Sequence, residues 1–121
     1  MYIKNREPLF TGQNVGASRL RYGVYEGTEA TSGEVNVSRA EKMELFYRAA
    51  TLNATRIALQ IEGMSDANQT WGRIATMGIT SANTIHTLYT ITNQCKRIRV
   101  GASIDTTASP NNLYVDLLYC E

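Results

Sequence analysis

The feature that most constrains the fold of this chain is a period-two alternation of apolar and polar residues in successive short segments. In the clearest segment, Ile57, Leu59 and Ile61 point to one side and the residues between them point to the other. The pattern recurs in segments that begin near Leu20, Val35, Trp71, Ile85, Ile98 and Leu113. Turn-forming residues separate about eight such strands at spacings of roughly ten to fifteen residues. We therefore predict an all-β fold, a single antiparallel β-sandwich of the jelly-roll type.

The segment that starts at Ser38 and runs to Leu52 fits two kinds of secondary structure. Ser38 and Glu41 match the capping box that begins many helices. Met43 and Tyr47, however, belong to an alternation that suits a strand. Because every later segment has the period of a strand, we predict a strand here, which a short helical turn could precede.

The first sixteen residues show no sustained period, and Pro8 and Gly12 interrupt them. We predict an extended N-terminal arm over residues 1–16, followed by the sandwich domain over residues 17–121. Leu9 and Phe10 in this arm are apolar and are unfavourable in water. The arm is therefore expected either to be frayed or to lie on another surface.

The balance of charge argues against partners that are bound through a long-range electrostatic field. The chain has 12 Lys and Arg residues and 11 Asp and Glu residues, a formal net charge of +1. Nucleic acids and anionic membranes attract strongly basic proteins, so we expect neither as a partner. Nine of the basic residues are Arg and seven residues are Tyr. Both types are enriched at protein interfaces, which indicates a domain that binds other proteins.

No arrangement of residues indicates catalysis, a cofactor or a metal ion. The single histidine, His86, is expected on the outward side of a strand. The sequence has no nucleophile elbow, P-loop or dinucleotide-binding glycine motif. Its scattered acids do not form a calcium-binding pattern. We therefore expect a protein that is not an enzyme and has no cofactor, and we expect Cys95 and Cys120 to be reduced.

The single tryptophan, Trp71, follows a polar loop and opens a strand. We expect it to be a buried core anchor. If it is exposed beside tyrosines, it could instead stack on a sugar ring, which keeps a carbohydrate-binding module as an alternative.

The order of strands and turns between Met43 and Val100 resembles small jelly-roll virion proteins of tailed bacteriophages. The segments that carry the resemblance are Met43–Tyr47, Ala54–Gly63, the loop from Ser65 and Asp66 to Thr70 and Trp71, Ile74–Thr76, Leu88–Ile91 and Lys96–Val100. These virion proteins include capsid decoration (cement) proteins and related head or tail accessory domains. Gly72 departs from the pattern, because a polar strand residue is more usual after the tryptophan.

The resemblance implies a structural protein that binds the major capsid protein on the capsid surface and stabilises the phage head after assembly in the host cytoplasm. It also implies a homo-oligomer, commonly a trimer. We predict partner contacts through the arm and the first strand, at Tyr2, Ile3, Leu9, Phe10, Arg19 and Arg21. The alternatives are a phage neck, tail or fibre module and a carbohydrate-binding β-sandwich module.

Overall fold

The computed structural model describes residues 4–16, 21–22, 34–37, 40, 42–65, 70–92, 95, 97–104 and 106–120. For residues 4–5, 21–22 and 88–92 it describes the backbone alone. The strands are β1 (Lys4–Asn14), β2 (Arg21–Tyr22), β3 (Val35–Asn36), β4 (Lys42–Leu52), β5 (Ile57–Met64), β6 (Gly72–Ile79), β7 (His86–Thr92), β8 (Arg97–Ser103) and β9 (Asn111–Cys120).

The strands form two antiparallel sheets. The first has the order β1-β9-β4-β7, and the second has the order β2-β8-β5-β6. The short strands β2 and β3 pair with opposite ends of β8, so together they act as one interrupted strand. Counted in this way, eight strands are divided four and four between two sheets, and only β5 and β6 are consecutive in one sheet, as in a jelly roll. The predicted all-β sandwich is confirmed, and the ambiguous segment around Met43 is strand β4.

The core lies between the sheets and is built by the alternation that the sequence displays. In β9 the side chains of Leu113, Val115 and Leu117 are buried, while Tyr114 and Asp116 between them are more exposed. The same alternation places Ile57, Leu59 and Ile61 of β5 in the core, together with Ile98 and Val100 of β8. This burial supplies the main favourable free energy of folding.

For residues 4–14 the predicted arm outside the sandwich domain is wrong, because these residues form β1 and pair with β9 from Lys4↔Cys120 to Asn14↔Asn112. The register shifts between Pro8 and Phe10, so Leu9 is an extra residue at a β-bulge. The bulge lets the consecutive side chains of Leu9 and Phe10 both enter the core, where they are 1% and 0% exposed. They are therefore core residues of the sandwich, and in this fold they are not available as anchors on a partner.

One buried amide joins the loops at one end of the sandwich. The Asn111 side chain is fully buried, and its Oδ1 accepts hydrogen bonds from the backbone N–H groups of Asn53 and Ala54 at 2.9 and 2.8 Å. Its Nδ2 donates to the carbonyl oxygen of Ala108 at 2.7 Å. Both polar atoms of the Asn111 side chain are hydrogen-bonded, so its burial leaves neither of them without a partner.

Candidate protein interface

The outer face of the first sheet carries aromatic, apolar and charged side chains from three adjacent strands. Strand register places Arg48 beside Tyr114 and Phe46 beside Asp116, while Pro8 of β1 lies on the other side of Asp116. We name this surface the Tyr114 face; it comprises Arg6, Pro8, Phe46, Arg48, Tyr114, Asp116 and Leu118. A sheet face exposed to water is ordinarily polar, so half-buried Phe46, Leu118 and Pro8 give this one the composition of a contact surface.

Tyr114 is held in place from two sides while its side chain stays accessible. It is 39% exposed, and the Arg48 guanidinium carbon lies 4.4 Å from the centre of its ring. On the other side, Gly12 has a φ of +89°, and a Cβ on this residue would lie 2.9 Å from Tyr114 Oη. Glycine at position 12 therefore allows both the backbone conformation of β1 and the close approach of the ring. The result is an exposed aromatic side chain with a fixed orientation.

A charged pair forms part of the Tyr114 face. Arg6 Nη2 donates to both carboxylate oxygens of Asp116, at 3.2 Å to Oδ1 and 3.0 Å to Oδ2. The Arg6 side chain is 64% exposed, so the pair adds little to stability. The ion pair instead fixes the orientation of the Asp116 carboxylate beside Phe46, and it leaves most of the Arg6 side chain accessible.

The second sheet carries a compact charged cluster on its outer side. Arg99 Nε and Nη2 donate to Glu62 Oε1 at 2.9 and 2.7 Å, and Gln60 Nε2 donates to Glu62 Oε2. The Arg99 guanidinium carbon lies 4.2 Å from the centre of the Trp71 ring. Glu62 is 6% exposed, so its charge is stabilised by these donors.

The cluster corrects the expectation that Trp71 is a core anchor. Trp71 is partly buried, is not among the residues of the core between the sheets, and packs against Arg99. Arg99 covers one face of the indole ring, so only the other face could stack on a sugar. The sequence could not reveal this arrangement, because Arg99 and Glu62 become neighbours only through the pairing of β5 and β8.

His86 also differs from its predicted position on the outward side of a strand. It pairs with Tyr47 of β4, and the two rings stack with centroids 5.2 Å apart and an interplanar angle of 16°. Tyr47 packs against the core, and burial raises its pKa. His86 Nε2 is buried and has no hydrogen-bond partner within the described structure.

The predicted contact residues do not come together as one described surface. Leu9 and Phe10 lie in the core. Arg21 is in β2, where the backbone alone is described, and Tyr2, Ile3 and Arg19 lie outside the described residues. The residues of the Tyr114 face were missed. The alternation in β9 could have placed Tyr114 on the outer side of its strand.

No group of three or more His, Cys, Asp or Glu side chains in the described ranges is placed to hold a metal ion. Cys95 and Cys120 are not joined by a disulfide bond. The part of the chain that the structure describes contains no helix long and apolar enough to span a membrane.

No protein-family model and no curated protein sequence matches this chain. Among solved structures, the globular domain of the zebrafish complement 1qA protein is similar, with a TM-score of 0.54 and 7% identity over 99% of this chain and 96% of that chain. The family 32 carbohydrate-binding module of C. perfringens NanJ, solved with galactose, has a TM-score of 0.47 and 11% identity, with coverages of 95% and 93%. A chain of infectious bursal disease virus, Gx strain, has a TM-score of 0.42 and 7% identity. The match covers 98% of this chain and 32% of the viral chain.

At such low identities these similarities concern the fold alone. The likeness to the complement domain extends over nearly the whole of both chains. The chain therefore has the fold of a β-sandwich of the jelly-roll kind, as its strand order also indicates.

Proposed function

We propose that this chain is a structural virion protein of the capsid decoration, or cement, type. It binds the major capsid protein through the Tyr114 face and stabilises the phage head. The resemblance of Met43–Val100 to such proteins supports the virion role. The proposal includes a homotrimer on the capsid surface, assembled in the host cytoplasm, with no enzymatic activity, nucleic acid or membrane involved.

The observation that carries the proposal is the exposed but fixed ring of Tyr114. Tyrosine and arginine are among the residue types enriched at binding hot spots. Arg48 and Gly12 already hold the ring in one orientation, so less conformational entropy is lost when a partner covers it. The half-buried Phe46 and Leu118 extend the apolar area around the ring.

Binding to a capsid lattice gains from repetition. A trimer presents three copies of the Tyr114 face to an array of identical sites, so a modest affinity at each site gives tight attachment of the whole. Tyr2, Ile3, Arg19 and Arg21 remain predicted additional contacts of this assembly. Leu9 and Phe10 are not among these contacts, because their side chains lie in the core.

The test is cosedimentation of the purified protein with empty heads assembled from a major capsid protein of the same genome. We expect Tyr114→Ala to weaken binding by about 30-fold or more, the effect of losing a hot-spot residue. Thr55→Ala, at an exposed position in the loop between β4 and β5, is the matched control and should bind as the wild type does.

Three results would replace the proposal. Wild-type binding by Tyr114→Ala would remove the Tyr114 face from the contact. Binding to purified tails in place of heads would favour a neck, tail or fibre module. Affinity for a glycan that Trp71→Ala abolishes would favour a carbohydrate-binding module. Sedimentation equilibrium separately tests the trimer.

A further inference from the structure

Strand β6 lies at the end of the second sheet and pairs with β5 along one edge. No other described strand pairs with its second edge. Gly72, Arg73, Ile74 and Thr76 are exposed, and Ile74 has 41% of its surface accessible. The edge therefore presents backbone N–H and C=O groups to which another strand could hydrogen bond.

A β-bulge interrupts the edge at Ile74, but from Ala75 to Ile79 the edge lacks the features that usually prevent strand addition. Natural edge strands are commonly blunted by lysine, by proline or by very short length. β6 has eight residues, contains neither lysine nor proline, and carries its only charge at Arg73. From Ala75 to Ile79 it is uncharged and pairs with β5 in regular register. A stretch of five residues is thus suited to accept a further strand.

Two arginines lie at the two ends of this stretch. Arg73 belongs to β6, and the Arg56 side chain lies directly over Gly78. Both arginines are exposed, and neither makes an ion pair with a described residue. Arg73 is paired in register with Glu62 and Gly78 with Ala58. Residues 62 and 58 are four apart on β5, so the two positive charges lie on the same outer face.

We propose that the free edge of β6 binds an extended segment of another protein by β-strand addition. The segment has an uncharged centre of alternating residues, flanked by two acidic residues four positions apart, which face Arg73 and Arg56. Main-chain hydrogen bonds supply affinity, and the two acidic residues supply register and specificity. This site lies on the second sheet, so it goes beyond the proposed contact of the Tyr114 face and does not depend on it.

A second copy of this chain fits the edge less well than a separate acidic segment does. A symmetric antiparallel pairing about the centre of β6 would place residue 73 of one copy opposite residue 78 of the other. Arg73 of one copy would then face Arg56, which lies over Gly78, in the other copy. Like charges placed opposite each other destabilise a strand pair.

The test uses the intact protein and three synthetic peptides. The probe is acetyl-Thr-Asp-Val-Thr-Val-Asp-Thr-amide, whose acids are four positions apart. One control replaces both Asp residues by Lys, and the other, acetyl-Thr-Asp-Val-Thr-Val-Thr-Asp-amide, places the acids five positions apart and therefore on opposite faces. Binding is followed by fluorescence anisotropy of labelled peptides and by amide hydrogen exchange of residues 73–79.

We expect the probe to slow exchange within residues 73–79 and to bind about tenfold or more tightly than either control peptide. The lysine control loses both charge-assisted contacts, and the control with acids five positions apart can make only one of them at a time. The double variant Arg56→Glu with Arg73→Glu should reverse the preference towards the lysine peptide. Equal binding of all three peptides, or unchanged exchange at residues 73–79 with saturating probe, would overturn the proposal. Concentration-dependent protection of these amides without peptide would also overturn it, in favour of self-pairing.

Discussion

Val15 and Asn111 are joined by two hydrogen bonds that run in opposite directions. The Val15 N–H donates to the Asn111 carbonyl oxygen at 2.8 Å, and Asn111 Nδ2 donates to the Val15 carbonyl oxygen at 3.2 Å. Oδ1 of the same side chain also accepts hydrogen bonds from the backbone N–H groups of Asn53 and Ala54. One buried amide therefore ties the segment after β1 and the segment after β4 to the first residue of β9.

Replacing Asn111 by alanine should lower the free energy of unfolding by about 3 kcal/mol. Two backbone N–H groups and two carbonyl oxygens, all buried or partly buried, then lose their hydrogen-bond partner. Urea denaturation followed by circular dichroism measures the change. Asn112→Ala is the control: Asn112 Nδ2 donates to one carbonyl oxygen, that of Gly12, at 2.9 Å, and its loss should cost about 1 kcal/mol. Equal losses in the two variants would contradict the role given to Asn111.

Gly12→Ala should destabilise the fold by about 1–2 kcal/mol, the cost of a left-handed backbone conformation for a residue with a Cβ. It should also displace the Tyr114 ring, since the added Cβ would lie 2.9 Å from Oη. Chemical denaturation gives the first effect, and the NMR shifts of the Tyr114 ring give the second. Gly16→Ala, with no atom within 4 Å of the new Cβ, should leave both unchanged.

Arg99→Met should cost about 3–5 kcal/mol, because it leaves the buried carboxylate of Glu62 without its main charge partner. The double variant Glu62→Gln with Arg99→Met should recover part of this loss, since the uncompensated charge is then removed as well. Guanidinium denaturation measures both, and the fluorescence of Trp71 reports the loss of its Arg99 contact. A double variant less stable than the Arg99 single variant would refute this account of the pair.

The stability of the protein should fall at alkaline pH through Tyr47. Burial raises its pKa above the ordinary value of 10.0, so the folded state holds the phenol proton more tightly than the unfolded chain does. The contribution of Tyr47 to stability is fully present below pH 10, and it is lost as the pH rises from there through the pKa of Tyr47 in the folded state. Denaturation at a series of alkaline pH values should show a smaller fall for Tyr47→Phe than for the wild type.

The fold was predictable where side-chain alternation is unbroken. Ile57, Leu59 and Ile61 show the period of two without interruption, and all three lie in the core. β1 was not predicted because two register shifts, one at Leu9 and one at Gly12, break the period, and the first of them turns the neighbours Leu9 and Phe10 to the same side. A bulge is stabilised by the partner strand and leaves no periodic signal in its own sequence.

The candidate interface was less predictable than the fold, for a different physical reason. The alternation in β9 indicates that Tyr114 and Leu113 face opposite sides of the sheet. Nothing local indicates that Arg48 stacks on Tyr114, because that contact depends on which strands become neighbours and in which register. The Trp71 prediction was wrong for the same reason, since its partner Arg99 is brought to it by the pairing of the strands of the second sheet.

The pairing of Lys4 with Cys120 brings the two ends of the sandwich together at one corner of the first sheet. Any polypeptide joined before β1 or after β9 therefore leaves the module from the same point. Domains whose ends lie close together tolerate insertion into other proteins and circular permutation. A peptide fused at either end would emerge from this corner, and the sandwich could be placed in a loop of a carrier protein with little change in the separation of the loop ends.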